Sequence, residues 1–127
     1  MRLTSFILLF ILLLAAVSGA ELPSANSPAI SQALSTGKPT ILDLGARTCI
    51  PCKKMAPILE TLTTELKGKA NVLFVDVRED PETARKFGIQ MIPTQIFFDA
   101  SGKEVKRHIG GMERDDLLKE LKAAGLK

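Results

Sequence analysis

Cys49 and Cys52 are the only cysteines in the chain. They lie in the run Thr48-Cys49-Ile50-Pro51-Cys52-Lys53-Lys54, between an apolar strand-like stretch and an amphipathic helical one. Two intervening residues let the sulfurs meet in the first turn of a helix, where unpaired backbone N–H groups and the helix dipole favour negative charge and hence a thiolate. A thiolate there can attack a disulfide in another molecule. The second sulfur, one turn away, can then resolve the mixed disulfide by closing a Cys49-Cys52 bond.

Other uses of the pair are less well supported. As a staple it would close a ring of about four residues, which chain entropy values at only roughly 2 kcal/mol. As a zinc half-site it lacks partners, because only His108 and the methionines could add soft ligands and a tetrahedral centre needs two more. No metal is therefore assigned. Copper(I) accepts thioether, and Met91 lies near Pro93, so a copper carrier stays open as a non-enzymatic alternative. His108 alternates with Glu104 and Lys106 on one strand face, the pattern of a solvated surface, and is given no role. Arg47, Lys53 and Lys54 are expected to face solvent beside the cysteines.

The pair needs a frame, and the rest of the chain describes one. Arg2 precedes a twelve-residue apolar run, Phe6 to Val17, followed by small Ser18-Gly19-Ala20. The run is short for a membrane span, so residues 1–20 read as an export signal cleaved before Glu21. The alternative is an uncleaved tether, since Leu3 to Ala20 holds no acidic residue. The remainder suits one domain with its own core, with residues 21–28 as a leader and 29–127 as the folded unit. The net charge of +3 has its signs interspersed, which excludes a nucleic-acid surface.

Within that unit Pro28 to Ser35 reads as a first helix, and Thr40 to Gly45 as a strand covered on both faces with Asp43 as its one carboxylate. Met55, Ile58, Leu59, Leu62 and Leu66 recur at helical spacing from Pro51 to Lys67, with Pro57 expected to kink that helix. Asn71 to Val77 reads as a second strand, and Asp80-Pro81-Glu82 opens a short helix ending at Gly88. Thr94 to Asp99 and Lys103 to Ile109 form an expected hairpin, and Asp115 to Ala124 a last helix. The order is an α/β fold with a mixed sheet and helices on both faces.

Taken together, Thr40-Ile41-Leu42-Asp43-Leu44, Cys49-Ile50-Pro51-Cys52-Lys53, Met55-Ala56-Pro57, Gly88-Ile89-Gln90-Met91-Ile92-Pro93-Thr94 and Gly110 resemble the thioredoxin family, over nearly the whole length from Ala29 to Leu126. The resemblance implies a thioredoxin fold, here with a four-stranded sheet or, if the family's first strand is present, a five-stranded one. It implies Cys49 as the attacking thiol, Cys52 as the resolving thiol, and Pro93 as a cis-proline whose loop faces them. Ile92, Pro93 and Thr94 would then bind a substrate strand, while Ile50, Pro51, Pro57 and Gly110 would serve the motif's structure. Asp43 would point under the cysteine turn, where burial raises its pKa and suits it to exchange protons with Cys52.

Departures from the family pattern accompany these matches. Thr48 and Gly45 stand where the family usually has tryptophan, and Phe74 stands where ordinary thioredoxins carry a lysine near the buried aspartate. Asp43 would lack a cationic neighbour. The resemblance further implies dithiol-disulfide exchange without a bound cofactor, by a monomer acting on disulfide-containing proteins in the periplasm or another extracytoplasmic space. A reductase or electron relay fed by a membrane thiol donor is the favoured direction, because Pro51 stands where strongly oxidising relatives tend to have histidine. An oxidase or isomerase using the same cysteines is the alternative.

Overall fold

The computed structural model describes residues 21–127, so the export-signal expectation for residues 1–20 lies outside the described residues. Four helices and four strands follow in the order α1 Ser27–Leu34, β1 Thr40–Gly45, α2 Ile50–Glu65, β2 Asn71–Asp76, α3 Pro81–Lys86, β3 Thr94–Phe98, β4 Glu104–Ile109 and α4 Arg114–Ala123. Every element expected from the sequence is present, with ends displaced by a residue or two. No helix among the described residues is long and apolar enough to cross a membrane.

The sheet is four-stranded, in the order β2-β1-β3-β4. β1 pairs in parallel with β2 through the α2 crossover and antiparallel with β3, and β3 pairs antiparallel with β4. Side-chain alternation along the strands sorts the core into two layers. Ile41, Val72 and Phe97 pack with Met55, Leu59 and Leu62 of α2 and with Leu117 and Leu121 of α4. On the opposite face Leu42, Leu44, Val75, Ile96 and Phe98 pack with Ile30 of α1. Asp43 has the parity of Ile41 and so belongs to the layer under α2. The β3–β4 turn needs glycine, since Gly102 has φ +80° and a Cβ there would lie 2.7 Å from the Leu34 carbonyl oxygen.

No complete fifth strand forms among the described residues. In its place Ser24 makes a single parallel bridge to Phe74 on the outer edge of β2. The segment read from the sequence as a leader is thus docked: Ala25 N–H donates to the Phe74 carbonyl at 2.7 Å, and Asp76 N–H donates to Ser24 Oγ at 2.9 Å. Its last residues already belong to α1, which begins at Ser27 under an Asn26 N-cap whose Oδ1 accepts from Ala29 N–H at 2.9 Å.

Arg47 holds the start of this strap. Its guanidinium donates to Glu21 Oε2 at 2.8 Å and to the Leu22 carbonyl at 2.9 Å, and it sits 5.1 Å from the centre of the Phe74 ring. The expectation of a solvent-facing Arg47 is therefore corrected, because its side chain is only 34 % exposed. Removing the clamp with Arg47→Ala should raise the exchange rate of the Ala25 and Asp76 amide protons about fivefold, equivalent to ~1 kcal/mol of charge-assisted hydrogen bonding at a half-exposed site. Hydrogen exchange read by NMR checks this, and β1 amides should keep their protection.

Candidate active site

β1 ends at Gly45 and a short loop leads into α2, whose N-cap is Cys49. Asp76 anchors that loop to the end of β2: its Oδ2 accepts from Arg47 N–H at 3.1 Å and its Oδ1 from Arg78 N–H at 2.8 Å. Arg78 in turn donates to the Thr48 hydroxyl, next to the first cysteine. Cys49 Sγ accepts the Cys52 N–H at 3.4 Å, so one of the unpaired donors at the helix start already points at this sulfur. Cys49 and Cys52 are joined in a disulfide, with their Cα atoms 5.2 Å apart.

The two sulfurs differ in access. Cys49 is half-buried, whereas Cys52 is 5 % exposed. Ile50 between them is 71 % exposed, and Pro51 occupies the first turn, where its missing N–H costs no hydrogen bond. Gly45 makes room for the inner sulfur: a Cβ there would stand 3.1 Å from Cys52 Sγ and 3.2 Å from Cys52 Cβ. Pro57 lies further along α2, exposed on a helix that runs unbroken through it.

The proline loop shares this end of the sheet because Leu44 at the end of β1 pairs with Thr94 at the start of β3. The Ile92-Pro93 peptide is cis, and Pro93 is buried. Gly110 N–H donates to the Pro93 carbonyl at 2.8 Å, and Thr94 Oγ1 donates to the Met91 carbonyl at 2.7 Å. The N–H and C=O of Ile92 bond to no other group among the described residues. Cys49, Cys52, Ile92, Pro93, Thr94 and Gly110 are thus gathered at one end of the sheet, with Met91 63 % exposed beside them.

Asp43 lies beneath α2 and is 1 % exposed. Burial pushes its carboxyl up to about 6, against the smaller opposing pull of a hydrogen bond from Gln95. Gln95 Nε2 donates to Asp43 Oδ1 at 2.9 Å, while Asp43 Oδ2 and Gln95 Oε1 have no protein partner. Asp43 and Cys52 both line a partly open cavity of about 20 Å³, room for a single water, bordered also by Phe74, Leu22, Glu21, Arg47 and Lys53. Phe74 lies directly opposite Asp43 in β2, so no cation enters from that side. Gln95 and the strap residues Glu21 and Leu22 escaped the sequence reading. The signal available for Gln95 was its polarity within Ile96-Phe97-Phe98 and its parity with Phe97. Among the described residues, no group of three or more His, Cys, Asp or Glu is placed to hold a metal ion.

Comparison with known proteins agrees with this geometry. The Thioredoxin family model matches residues 24–123. A thioredoxin of Mycobacterium tuberculosis is 44 % identical over 88 residues, covering 69 % of this chain and 75 % of that protein. A bifunctional thioredoxin reductase/thioredoxin of Mycobacterium leprae is 36 % identical over 104 residues; the match covers 82 % of this chain and 22 % of that much longer protein. Among solved structures, a mutant thioredoxin from Halobacterium salinarum superposes with a TM-score of 0.72 at 25 % identity, covering 84 % of this chain and 91 % of the other.

The raised Asp43 pKa has a stability signature whose sign follows from linkage. The folded chain holds this proton more tightly than the unfolded chain, so the contribution is complete below about pH 4 and is lost as pH rises through about 6. A shift of about two units corresponds to about 3 kcal/mol lost by pH 8. Asp43→Asn should therefore gain stability relative to the native sequence between pH 4 and pH 8 in urea unfolding. The difference curve separates Asp43 from Asp80 and Asp99, whose carboxyls are held low by Thr83 and Ser101 hydrogen bonds and act in the opposite sense. A flat difference would contradict the buried, raised carboxyl.

Proposed function

The chain belongs to the thioredoxin family and is a thiol-disulfide oxidoreductase with a close cysteine pair, and from that premise we propose that it works as a disulfide reductase or electron relay on exported proteins. The single observation carrying this reading is the unequal pair at the α2 start: an accessible Cys49 whose sulfur takes a backbone N–H, in front of a buried Cys52. In the reduced protein that N–H and the helix N-terminus favour the Cys49 thiolate.

The Cys49 thiolate attacks one sulfur of a substrate disulfide, the S–S bond breaks, and the departing substrate sulfur takes the bonding pair and a proton. The Cys52 thiol then yields its proton by way of the cavity water to Asp43, and its sulfur attacks Cys49 Sγ. The Cys49–substrate S–S bond breaks, the second substrate sulfur leaves with the bonding pair and takes a proton from solvent, and the Cys49-Cys52 disulfide of the present structure is the oxidised product. Ile92, with its backbone hydrogen-bonding groups unpaired, supplies an edge on which an extended substrate segment can add as a strand, beside Pro93 and Thr94. Exposed Ile50 and Met91 give that segment apolar contact. The exchange itself uses no cofactor beyond the cysteine pair.

The reducing direction is supported by Pro51 between the cysteines and by similarity to a protein whose name joins thioredoxin reductase with thioredoxin. Export through residues 1–20 would place the protein in an oxidising compartment, so a membrane thiol donor would have to re-reduce it. In that setting it acts as a monomer on disulfide-containing proteins. Equilibration with glutathione buffers is expected to give a potential near about −250 mV; a value near about −150 mV would assign an oxidase or isomerase instead. Insulin reduction should be lost in Cys49→Ser, and a native protein no faster than that variant that binds Cu(I) tightly would sink the enzyme reading.

A further inference from the structure

Gln95 and Asp43 are direct partners in the β1–β3 register, and Gln95 is fully buried. A primary amide there needs a reason, since burying one without partners is costly. Its Nε2 is spent on two acceptors, Asp43 Oδ1 at 2.9 Å and Met55 Sδ at 3.1 Å. The reverse amide orientation would set Oε1 against two groups that cannot donate to it when Asp43 is ionised. Oδ1 is thereby occupied, and Oδ2 is the carboxyl oxygen left without a protein partner, in a residue that lines the single-water cavity with Cys52.

We propose that Gln95 is the positioning residue of the Asp43 proton relay: by clamping Oδ1 it leaves Oδ2 to the water behind Cys52 and stabilises the carboxylate through its amide hydrogen bond. This rests on the reading above, in which Asp43 takes the Cys52 proton. The other charged or titratable groups around the site are committed elsewhere or lie apart from the carboxyl. From β2, Asp76 is held by the backbone N–H groups of Arg47, Arg78 and Glu79. Arg47 and Lys53 border the same cavity, but Arg47 is tied to Glu21 and lies over Phe74, Lys53 of α2 is exposed, and the hydrogen bond Asp43 accepts from a side chain comes from Gln95. His108 of β4 lies beyond Gln95 with its Nε2 against the Gly111 carbonyl at 3.3 Å. The thiol of Cys52 is the proton source itself.

The test is the Asp43 titration followed by NMR, together with the pH profile of insulin reduction, in the native sequence, Gln95→Met, Asp43→Asn and the double variant. Loss of the donor should raise the Asp43 midpoint and move the rate profile to higher pH by about one unit, with rates converging again at alkaline pH. In the Asp43→Asn background, Gln95→Met should leave the profile where Asp43→Asn alone puts it. Should Gln95→Met fail to fold, the native protein still decides: the Gln95 side-chain amide signals should shift with a midpoint near 6, and Asp43→Asn should abolish that shift. An unmoved midpoint, an amide indifferent to pH, or an equal effect in the Asp43→Asn background would overturn the proposal. A native protein that fails to reduce insulin would count against the reductase reading, while the titration would still judge the clamp.

Discussion

A carboxyl group on the buried face of the central strand is the constraint around which this molecule is arranged. β1 is covered by α2 and α4 on one side and by α1 on the other, and all six of its residues are buried. An unpaired carboxylate in such a place is strongly disfavoured, so the group either keeps its proton or finds donors. Asp43 does some of each: burial raises its pKa while one amide hydrogen bond pulls it partway back. The outcome is a carboxyl whose pKa is raised to about 6, in a residue that lines a small cavity together with Cys52. Everything else at this end of the sheet either keeps bulk water out of that space or brings the cysteines to it.

Backbone geometry brings the cysteines. A helix must begin where its first N–H groups lack partners, and placing Cys49 at the N-cap turns that local deficit into a site for a sulfur anion. Cys52 follows on the inner side of the first turn because the residue beneath it is glycine. A Cβ at position 45 would stand 3.1 Å from Cys52 Sγ, tighter than ordinary van der Waals contact, so Cys52 would have to give way by a few tenths of an ångström. Gly45 therefore lets the inner sulfur sit close against β1, although it carries no chemistry of its own. Gly110 works on the other flank by tying the end of β4 to the proline loop through the Pro93 carbonyl.

The strands, the helices and the paired cysteines were legible in the sequence because each is written in local pattern. β1 and β2 read as near-continuous apolar runs, α2 as helical spacing, and α3 as an Asp-Pro-Glu start; all are present within a residue or two. The strap was not legible. Glu21 to Ala25 has neither strand periodicity nor helix signals, and its place depends on Arg47, far along the chain, reaching back to it. Gln95 was hidden for a related reason. One polar residue in a buried strand looks like noise until the register sets it opposite Asp43, and register is a tertiary fact.

The replacement of the family's lysine by Phe74 makes sense once strap and clamp are considered together. Arg47, which borders the same cavity, lies over the Phe74 ring and is paired with Glu21. Glu21 offsets the charge of that cation, whose hydrogen bonds go to Glu21 and to the Leu22 carbonyl and not to Asp43. What remains for Asp43 is a dipole, the Gln95 amide, which stabilises the anion less than a full charge would but holds no proton of its own to compete for. A neutral partner leaves the midpoint governed by burial and by the state of Cys52. In the proposed exchange a Cys52 thiolate would oppose ionisation of Asp43, so the carboxyl would hold its proton most tightly at the stage when the sulfur has just given one up.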